Sequence, residues 1–523
     1  MVKYQRTTIF LLLFLCVPSI WADASFDGDW VGGFERPESL VFVHTHFQVG
    51  KDRTTGTIDL IDKAKVVNPG LMGKQLDKLE LNPSRAHFEL ADKASQLSFE
   101  GQVTNGVMTG VVEERGKKFP FRLDLMAETD PSRYAGIYQV GPEHFIKIAP
   151  DIVSLFSFDT QSGQIRFLLP RSETDFVCGP GVKTYPVEAT IHFTTNQLRQ
   201  VTTMQWKPEN APALAGHPIK LQEKEVSFEN GKTTLSGTLV LPPNKGPYPA
   251  VVLVHGSGPG IRSNSRFLAD FFALNGVATL VYDKRGCGTS TGDWRKSGFD
   301  DFAGDALAGV KLLKNRPDIN PHQIGLWGVS QGGWIVGLAA ARSTNVAFII
   351  SVSGPGITPE AQGAFVVEHR MKAADFSEAD LHEALSLYRL NSRCAQTDSG
   401  WDEFEAARKT AQNKPWYSDD LNVDAPGAQK QWQLIWDYDP VPVLRKVHCP
   451  VLSIFGELDP LVPVQKSADI WKTALTEAGN QNVVIKIFPH ADHSITDTRN
   501  GTALPDFFTL QRDWLMQHVT VNY

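Results

Sequence analysis

The second half of the chain alternates short apolar runs with stretches of helical pattern, and this alternation restricts the fold more than any other feature. The runs follow a hairpin predicted around Asn230 and Gly231, and they occupy residues 250–254, 278–282, 324–327, 347–352, 451–455 and 483–488. Successive side chains of a strand point to opposite faces, so an unbroken apolar run indicates a strand buried on both faces. Such strands alternating with helices are typical of a parallel sheet covered by helices. We therefore predict an α/β domain over residues 220–523.

The alternation stops between about residues 357 and 446, where the pattern is helical. Ser377 and Asp380 have a spacing similar to that of a capping box ahead of the apolar Leu381, which predicts the start of a helix there. A helical segment inserted between two strands of a sheet can cover one edge of that sheet. We predict that residues 357–446 form a helical cap over that edge.

The first half, residues 25–216, reads as an all-β accessory region. Short alternating or apolar runs at residues 40–49, 86–90 and 118–125 are separated by turn residues, such as those at 68–70 and 105–106. The pattern restarts near residue 130, where the sequence Gly-Ile-Tyr at 136–138 resembles Gly-Asp-Trp at 28–30. The region therefore contains either two β modules with a break near 130 or one continuous module.

Residues 1–24 have the pattern of a signal peptide. Lys3 and Arg6 precede an apolar run over residues 8–17, and small residues at 22–24 offer a cleavage site. The run is shorter than the roughly 20 residues of a membrane-spanning helix. We expect an exported protein, periplasmic or extracellular, without stable membrane insertion after cleavage; the alternative is an uncleaved anchor.

Charge and cysteine content exclude some partners and cofactors. A formal net charge of −7 gives no basic surface for nucleic acid, so we expect no nucleic-acid partner. Four cysteines follow the predicted signal peptide, and export permits disulfides. They are scattered, which leaves both bridges and free thiols open, and none has the short spacing of a zinc site. The four are Cys178, Cys287, Cys394 and Cys449.

The strongest chemical signal is the sequence GVSQGG at residues 328–333, which follows a predicted strand and opens a predicted helix. This setting is the one that a nucleophile elbow requires, with a serine on a strained turn between small residues. Ser330 is therefore the candidate nucleophile. A serine hydroxyl needs a base to accept its proton, and the tetrahedral intermediate needs donors for its oxyanion.

Candidates for the base, the acid and the oxyanion donors lie at predicted strand ends. The acid and the base should follow the serine in the chain. Asp459 lies after the strand at 451–455, with Glu457 as its competitor, and His493 lies after the strand at 483–488, with His490 as its competitor.

The oxyanion donors should be two backbone N–H groups. One belongs to Gln331, the residue after the nucleophile. The other belongs to the loop after residues 250–254, where Ser257 is favoured over Gly256 and Gly258.

From about Glu225 to the C-terminus the chain resembles the α/β-hydrolase superfamily in its esterase, thioesterase and acyl-peptidase-like branches. The resemblance rests on LSGTLVLP at 235–242, HGSGP at 255–259, YDKRG at 282–286, GVSQGGW at 328–334 and ADH at 491–493. It implies a triad of Ser330, Asp459 and His493, with Ser257 and Gln331 as oxyanion donors. Two positions depart from the family pattern: His490 replaces a more usual glycine, and Val329 precedes the serine where histidine is frequent.

These observations predict a serine hydrolase that cleaves a small-molecule acyl substrate, a carboxylic ester, without a metal or an organic cofactor. One alternative is a peptidase that acts on short or acylated peptides, although no repeat of about 40–50 residues marks a propeller. Another is a binding protein that keeps the fold without catalysis. The segment Asp283-Lys284-Arg285 is expected to hold the active-site loops by hydrogen bonds.

Overall fold

The computed structural model describes residues 26–521 except 38, 52, 63–69, 83, 92–95, 152 and 418–425. The predicted signal peptide, residues 1–24, therefore lies outside the described residues, and so does most of the turn predicted at 68–70. In the described part of the chain, no helix has both the length and the apolar character needed to cross a membrane.

The chain begins with a nine-stranded antiparallel sheet in the order β4-β3-β2-β1-β9-β8-β7-β6-β5. Its edge strands β4 and β5 are separated in the chain by Leu76 alone, so the sheet curls until its two edges meet at that residue. The Leu76 N–H donates to the Gly56 carbonyl oxygen. Stacked and edge-on aromatic rings fill the inside, among them Phe88 and Phe99 with centroids 4.6 Å apart. The strands are β1 (Gly28–Arg36), β2 (Ser39–Val49), β3 (Thr54–Asp62), β4 (Gly70–Gln75), β5 (Asp77–Asn82), β6 (Arg85–Ala91), β7 (Gln96–Thr104), β8 (Val107–Glu114) and β9 (Lys117–Leu125).

A closed eight-stranded antiparallel barrel follows. Its interior is again aromatic, with Tyr134 stacked on Phe193 and Phe176 at the edge of both rings. The Gly-Asp-Trp and Gly-Ile-Tyr sequences open β1 and β10, the first strand of each β module. The strands are β10 (Gly136–Gly141), β11 (His144–Pro150), β12 (Leu155–Asp159), β13 (Ile165–Pro170), β14 (Asp175–Cys178), β15 (Ala189–Thr195), β16 (Val201–Pro208) and β17 (Leu214–Ile219).

The second half folds around an eight-stranded sheet in the order β18-β19-β21-β20-β22-β23-β24-β25. The first two strands pair antiparallel as the predicted hairpin, and the strands from β21 onward pair parallel. The carboxyl ends of the parallel strands therefore meet at one edge. The strands are β18 (Gln222–Asn230), β19 (Thr233–Leu241), β20 (Tyr248–Val254), β21 (Ala278–Tyr282), β22 (Ile319–Val329), β23 (Ile349–Val352), β24 (Val451–Gly456) and β25 (Val483–Phe488).

Helices cover both faces of this sheet, because its buried strands have apolar side chains on both sides. One face packs on α2, α3 and α9, and the other on α1 and α10. The described residues between β23 and β24 form five further helices. The helices are α1 (Arg266–Leu274), α2 (Phe299–Lys314), α3 (Gln331–Arg342), α4 (Pro359–Ala373), α5 (Glu378–Thr397), α6 (Trp401–Ala411), α7 (Pro426–Ile435), α8 (Val441–Leu444), α9 (Val464–Glu477) and α10 (Pro505–His518).

The barrel docks on the face of the sheet that carries α1 and α10. Phe158 of β12 is fully buried among Phe267 and Phe271 of α1 and Phe508 of α10, with ring centroids 4.8–6.0 Å apart. Arg512 of α10 donates to two carbonyl oxygens of the loop after β12. The barrel and the α/β domain thus share one apolar core.

Candidate active site

Ser330 lies on a sharp turn between the end of β22 and the start of α3. Its backbone has φ 54° and ψ −120°. Residues other than glycine adopt this conformation rarely and at a cost of about 1–3 kcal/mol. The turn is tight: a Cβ atom on Gly328 would lie 2.6 Å from the carbonyl carbon of Gly332. The Ser330 N–H donates to the carbonyl oxygen of Val352 on the neighbouring strand at 2.8 Å. The half-buried side chain is therefore held in a strained, defined position at the carboxyl edge of the sheet.

The glycine-rich loop after β20 contacts this turn. A Cβ atom on Gly256 would lie 3.6 Å from the Cβ atom of Ser330, and one on Gly332 would lie 2.9 Å from the carbonyl oxygen of Val254. Gly258 has φ +74°, which favours glycine. The two loops that supply the predicted oxyanion donors are thus in van der Waals contact, and small residues are needed at both.

Asp459 and His493 form a hydrogen-bonded pair. The Nδ1 atom of His493 lies 2.7 Å from Oδ2 of Asp459, whose side chain is fully buried. The other carboxylate oxygen, Oδ1, accepts from the N–H groups of Leu461 and Val462 at 2.8 and 3.1 Å. The competitor Glu457 is exposed and accepts instead from the backbone N–H of His490 at 3.0 Å.

Ser353, which the sequence analysis did not single out, connects the serine turn to the histidine loop. It follows β23, has φ 51°, and its Oγ donates to the carbonyl oxygen of His493 at 2.8 Å. Since Ser330 is hydrogen-bonded to the adjacent Val352, the backbones of Ser330 and His493 are each fixed to the same two-residue segment. A small polar residue directly after a buried strand was the signal that could have identified it.

His490, where the family more usually has glycine, adopts φ +58°. That is the left-handed region in which glycine is favoured, so the structure explains the family preference at this position. The side chain of His490 is exposed, whereas the buried Asp459 pairs with His493.

Several other charged and aromatic residues of the second half have structural partners. Arg262 pairs with Glu225 at 2.7 Å. Asp301 accepts from the Gly298 N–H at the start of α2, and Asp305 is buried against Arg285. The two tryptophans of the helical segment, Trp401 and Trp416, pack in its own core. The cysteines of the described residues are free thiols: Cys178, Cys287, Cys394 and Cys449.

Two cavities border the site. The smaller cavity, of about 360 Å³, lies beside the glycine-rich loop after β20. It extends from Gly256 and Ser257 to Val329, the residue before Ser330. Its apolar walls come from Val254, Phe267, Leu268 and Trp327. The larger, of about 900 Å³, lies beyond Asp459 and is lined by Phe365 and His369 of α4, by His490, and by Pro37 of the N-terminal sheet.

Comparison with known proteins agrees with this architecture. Residues 245–499 match the family model Hydrolase_4, described as serine aminopeptidase, S33. Esterase EstD of Thermotoga maritima is 27% identical over 283 residues, which are 53% of this chain and 60% of that protein. The quorum-quenching protein AidA of Acinetobacter baumannii is 30% identical over 132 residues, 24% of this chain and 42% of that protein. The chain thus spans less than two thirds of the length of either relative.

A peptidase-like protein and a solved esterase also match. The uncharacterized peptidase YuxL of Bacillus subtilis is 21% identical over 351 residues, 60% of this chain and 44% of that protein. An esterase of Pyrococcus furiosus has a TM-score of 0.42 at 18% identity, covering 57% of this chain and 92% of that one. The sheet order, the strand–turn–helix at Ser330 and the family match confirm the fold predicted for the second half: residues 245–499 belong to the α/β-hydrolase superfamily.

Proposed function

We propose that the protein is an exported serine hydrolase that cleaves carboxylic esters through an acyl-enzyme intermediate. The observation that carries the proposal is the strained backbone of Ser330 at the carboxyl end of β22. Such strain persists only where the surrounding structure enforces it, and it is concentrated at functional sites. A merely structural serine at this turn gains nothing from φ 54°.

In the proposed reaction His493 takes the proton of Ser330 as Oγ attacks the ester carbonyl carbon. Asp459 orients the imidazole through Nδ1 and stabilises the imidazolium that forms. The N–H groups of Ser257 and Gln331 stabilise the oxyanion, and the intermediate collapses with loss of the alcohol, which is protonated by His493. Water then attacks the acyl-enzyme with His493 again as the base, which releases the acid and restores Ser330.

The smaller cavity supports an ester with a short acyl or alcohol group. It adjoins both the glycine-rich loop after β20 and Val329, and its walls are mostly apolar, whereas Ser257, Asn264 and Ser265 supply a few polar groups. Small-molecule sites commonly combine an apolar lining with a small number of polar groups in this way. We expect activity to decrease once the acyl chain exceeds the length that this cavity accommodates.

We further propose that the helices between β23 and β24 act as a cap. One hydrogen bond and one shared cavity lining support this role. Gln362 of α4 donates to the carbonyl oxygen of Leu461, two residues after Asp459, at 3.2 Å. Phe365 and His369 of the same helix line the larger cavity together with Asp459.

A serine peptidase is the second candidate. It is favoured by the matching family model, which is described as a serine aminopeptidase, and by the similarity to the peptidase YuxL. An aminopeptidase needs a carboxylate or carbonyl group to hold the free amino group of its substrate. Glu457 lines the larger cavity and is exposed, so it is the residue that would take this role.

The central test is hydrolysis of p-nitrophenyl esters of increasing chain length by the mature protein and by Ser330→Ala. We expect hydrolysis by the wild type and its loss in the variant. Ser386→Ala changes an exposed serine of α5 and serves as the matched control, with activity expected to stay unchanged. Equal activity of Ser330→Ala and wild type would refute the serine mechanism.

Two further measurements separate the alternatives. A wild type that reacts with a fluorophosphonate probe but ignores esters and cleaves aminoacyl-naphthylamides would favour the peptidase. A wild type that neither reacts nor cleaves would favour a binding protein on the same fold. Export is tested by N-terminal sequencing of the protein from the periplasm or medium, where a start near Ser25 is expected and a retained residue 1 would contradict signal cleavage.

A further inference from the structure

Lys284 is a buried lysine whose three ammonium protons are directed at the glycine-rich loop after β20 and at the start of α3. It follows β21 and is 3% exposed. Its Nζ donates to the carbonyl oxygens of Gly256 and Gly258, both at 2.9 Å, and to Oε1 of Gln331 at 3.0 Å. An ammonium group has three donors, so this residue is fully used in joining the loop after β20 to the start of α3.

The bond to Gly256 determines the direction of one N–H group. The carbonyl of Gly256 belongs to the same peptide unit as the N–H of Ser257, and in a trans peptide these two groups point in opposite directions. With its carbonyl fixed on Lys284, this unit directs the Ser257 N–H away from the lysine. The carbonyl of Gly258 precedes Pro259, which has no N–H, so that unit can supply no donor.

The surroundings of Lys284 leave its charge without a hydrogen-bonded carboxylate among the described residues. Asp305 of α2 forms its ion pair with Arg285 instead, and Asp283 accepts from the backbone N–H groups of Arg262 and Thr289. The ammonium lies 4.7 Å from the centre of the Phe302 ring, which partly compensates for lost water. Burying a charge that lacks an ionic partner lowers the stability of the fold. A buried positive charge at this place is useful when an oxyanion forms during the reaction.

The protonation of this lysine depends on its burial and on two neighbouring groups. Burial lowers the pKa of Lys284 to about 8, although Cys287 and Asp305 act in the opposite direction. His255, on the loop after β20, is held neutral because burial lowers its pKa to about 4, against the bond from its ring to the Tyr282 carbonyl. At neutral pH, therefore, Lys284 is mostly charged and His255 is neutral beside the same loop.

We propose that Lys284 is a positioning residue of the oxyanion hole, which orients and polarises the Ser257 N–H and fixes it relative to Gln331. The inference rests on the serine hydrolase mechanism proposed above. Of the two peptide units that accept from Lys284, only the one that contains the Ser257 nitrogen has an N–H group to donate. A hydrogen bond to the Gly256 carbonyl polarises the whole peptide unit, so the Ser257 N–H becomes a stronger donor to the oxyanion.

The test compares wild type with Lys284→Met, which keeps the length of the side chain and removes its charge and donors. We expect kcat on a p-nitrophenyl ester to fall about 10²-fold, near the lower end of the 10²–10³-fold loss for one oxyanion donor, with KM changed less than about threefold. In wild type we expect kcat to fall as pH rises through about 8, because the neutral lysine polarises the loop less, and this fall is absent from Lys284→Met. Lys486→Met, an exposed lysine that also lies over a phenyl ring, is the matched control and should behave as wild type.

A second variant keeps the test decisive if Lys284→Met does not fold. Gln331→Met leaves the Gln331 N–H in place but removes one acceptor of Lys284, so the alkaline fall in kcat should move to lower pH. A kcat of Lys284→Met within threefold of wild type, or an unchanged alkaline profile in both variants, would overturn the positioning role. Failure of the wild type to cleave esters or to react with a fluorophosphonate would instead count against the proposed function itself.

Discussion

Asp459→Asn is the substitution for which the structure makes the sharpest prediction. Oδ1 of Asp459 accepts two backbone N–H groups, and Oδ2 faces Nδ1 of His493 at 2.7 Å. In the asparagine variant the carbonyl oxygen must stay on the backbone side, because an NH₂ group there would face two other donors. The NH₂ group is therefore directed at His493, whose Nδ1 must become an acceptor.

That exchange places the imidazole proton on Nε2, the atom that should receive the proton of Ser330. The ring keeps its position but holds the wrong tautomer, so the base is blocked. The same change in a Ser-His-Asp protease of unrelated fold lowers kcat about 10⁴-fold. At about 1.36 kcal/mol for each factor of ten, this loss is about 5 kcal/mol of transition-state stabilisation.

The assay is steady-state hydrolysis of a p-nitrophenyl ester, with thermal unfolding as a check that the fold is intact. Glu457→Gln is the matched control, since Glu457 precedes Asp459 by two residues and is exposed. We expect a loss of about 10⁴-fold in kcat for Asp459→Asn and less than threefold for Glu457→Gln. A kcat of Asp459→Asn within tenfold of wild type would show that the reasoning about the tautomer is wrong.

Two further predictions concern stability. Phe158→Ala should lower the free energy of unfolding, measured in urea, by about 3–5 kcal/mol, because it leaves a cavity between the barrel and the α/β domain. The control Leu198→Ala, at an exposed position, should change this free energy by less than about 0.5 kcal/mol. Equal effects of the two variants would contradict the shared core. Burial opposes protonation of His44, but the hydrogen bonds that its ring donates to Asp29 and Asp59 outweigh burial and raise the pKa of His44. Wild type should therefore be stabilised below about pH 6.5 and lose this stabilisation as pH rises through the raised pKa, whereas thermal unfolding of His44→Gln should depend less on pH.

The α/β part of the fold was largely predictable because its signal is local. Each buried parallel strand, such as β20 or β24, is a continuous apolar run, and each is followed by a helix whose pattern is also visible. The β modules were predictable only as strands. The closure of the barrel depends on the pairing of β10 with β17, and the curl of the first sheet depends on polar strands such as β5, whose sequence DKLELN gives little indication of its partner.

Much of the candidate site was also accessible to sequence reasoning, since Ser330, Asp459 and His493 each follow a recognisable strand. What the sequence could not show is how these strand ends are connected. Ser353 and Lys284 act on residues that are distant in the chain, and a serine or lysine after a strand has no pattern that reveals its partners. The proposal that Ser257 is a donor likewise depends on the hydrogen bond from the Lys284 ammonium group to the Gly256 carbonyl oxygen, which the sequence does not reveal.

The curled first sheet has a consequence for how copies of this β-rich chain meet at high concentration. An open sheet edge offers unpaired N–H and C=O groups to which a second chain can add as a strand, the first step of aggregation. Here Leu76 alone joins β4, which pairs with β3, to β5, which pairs with β6, so one continuous run of chain forms both edges of the sheet. In the third sheet, the edge strand β18 carries Glu223, Lys224 and Glu225, and such charges oppose strand addition. The joined edges of the first sheet and the charges on β18 thus both oppose strand addition.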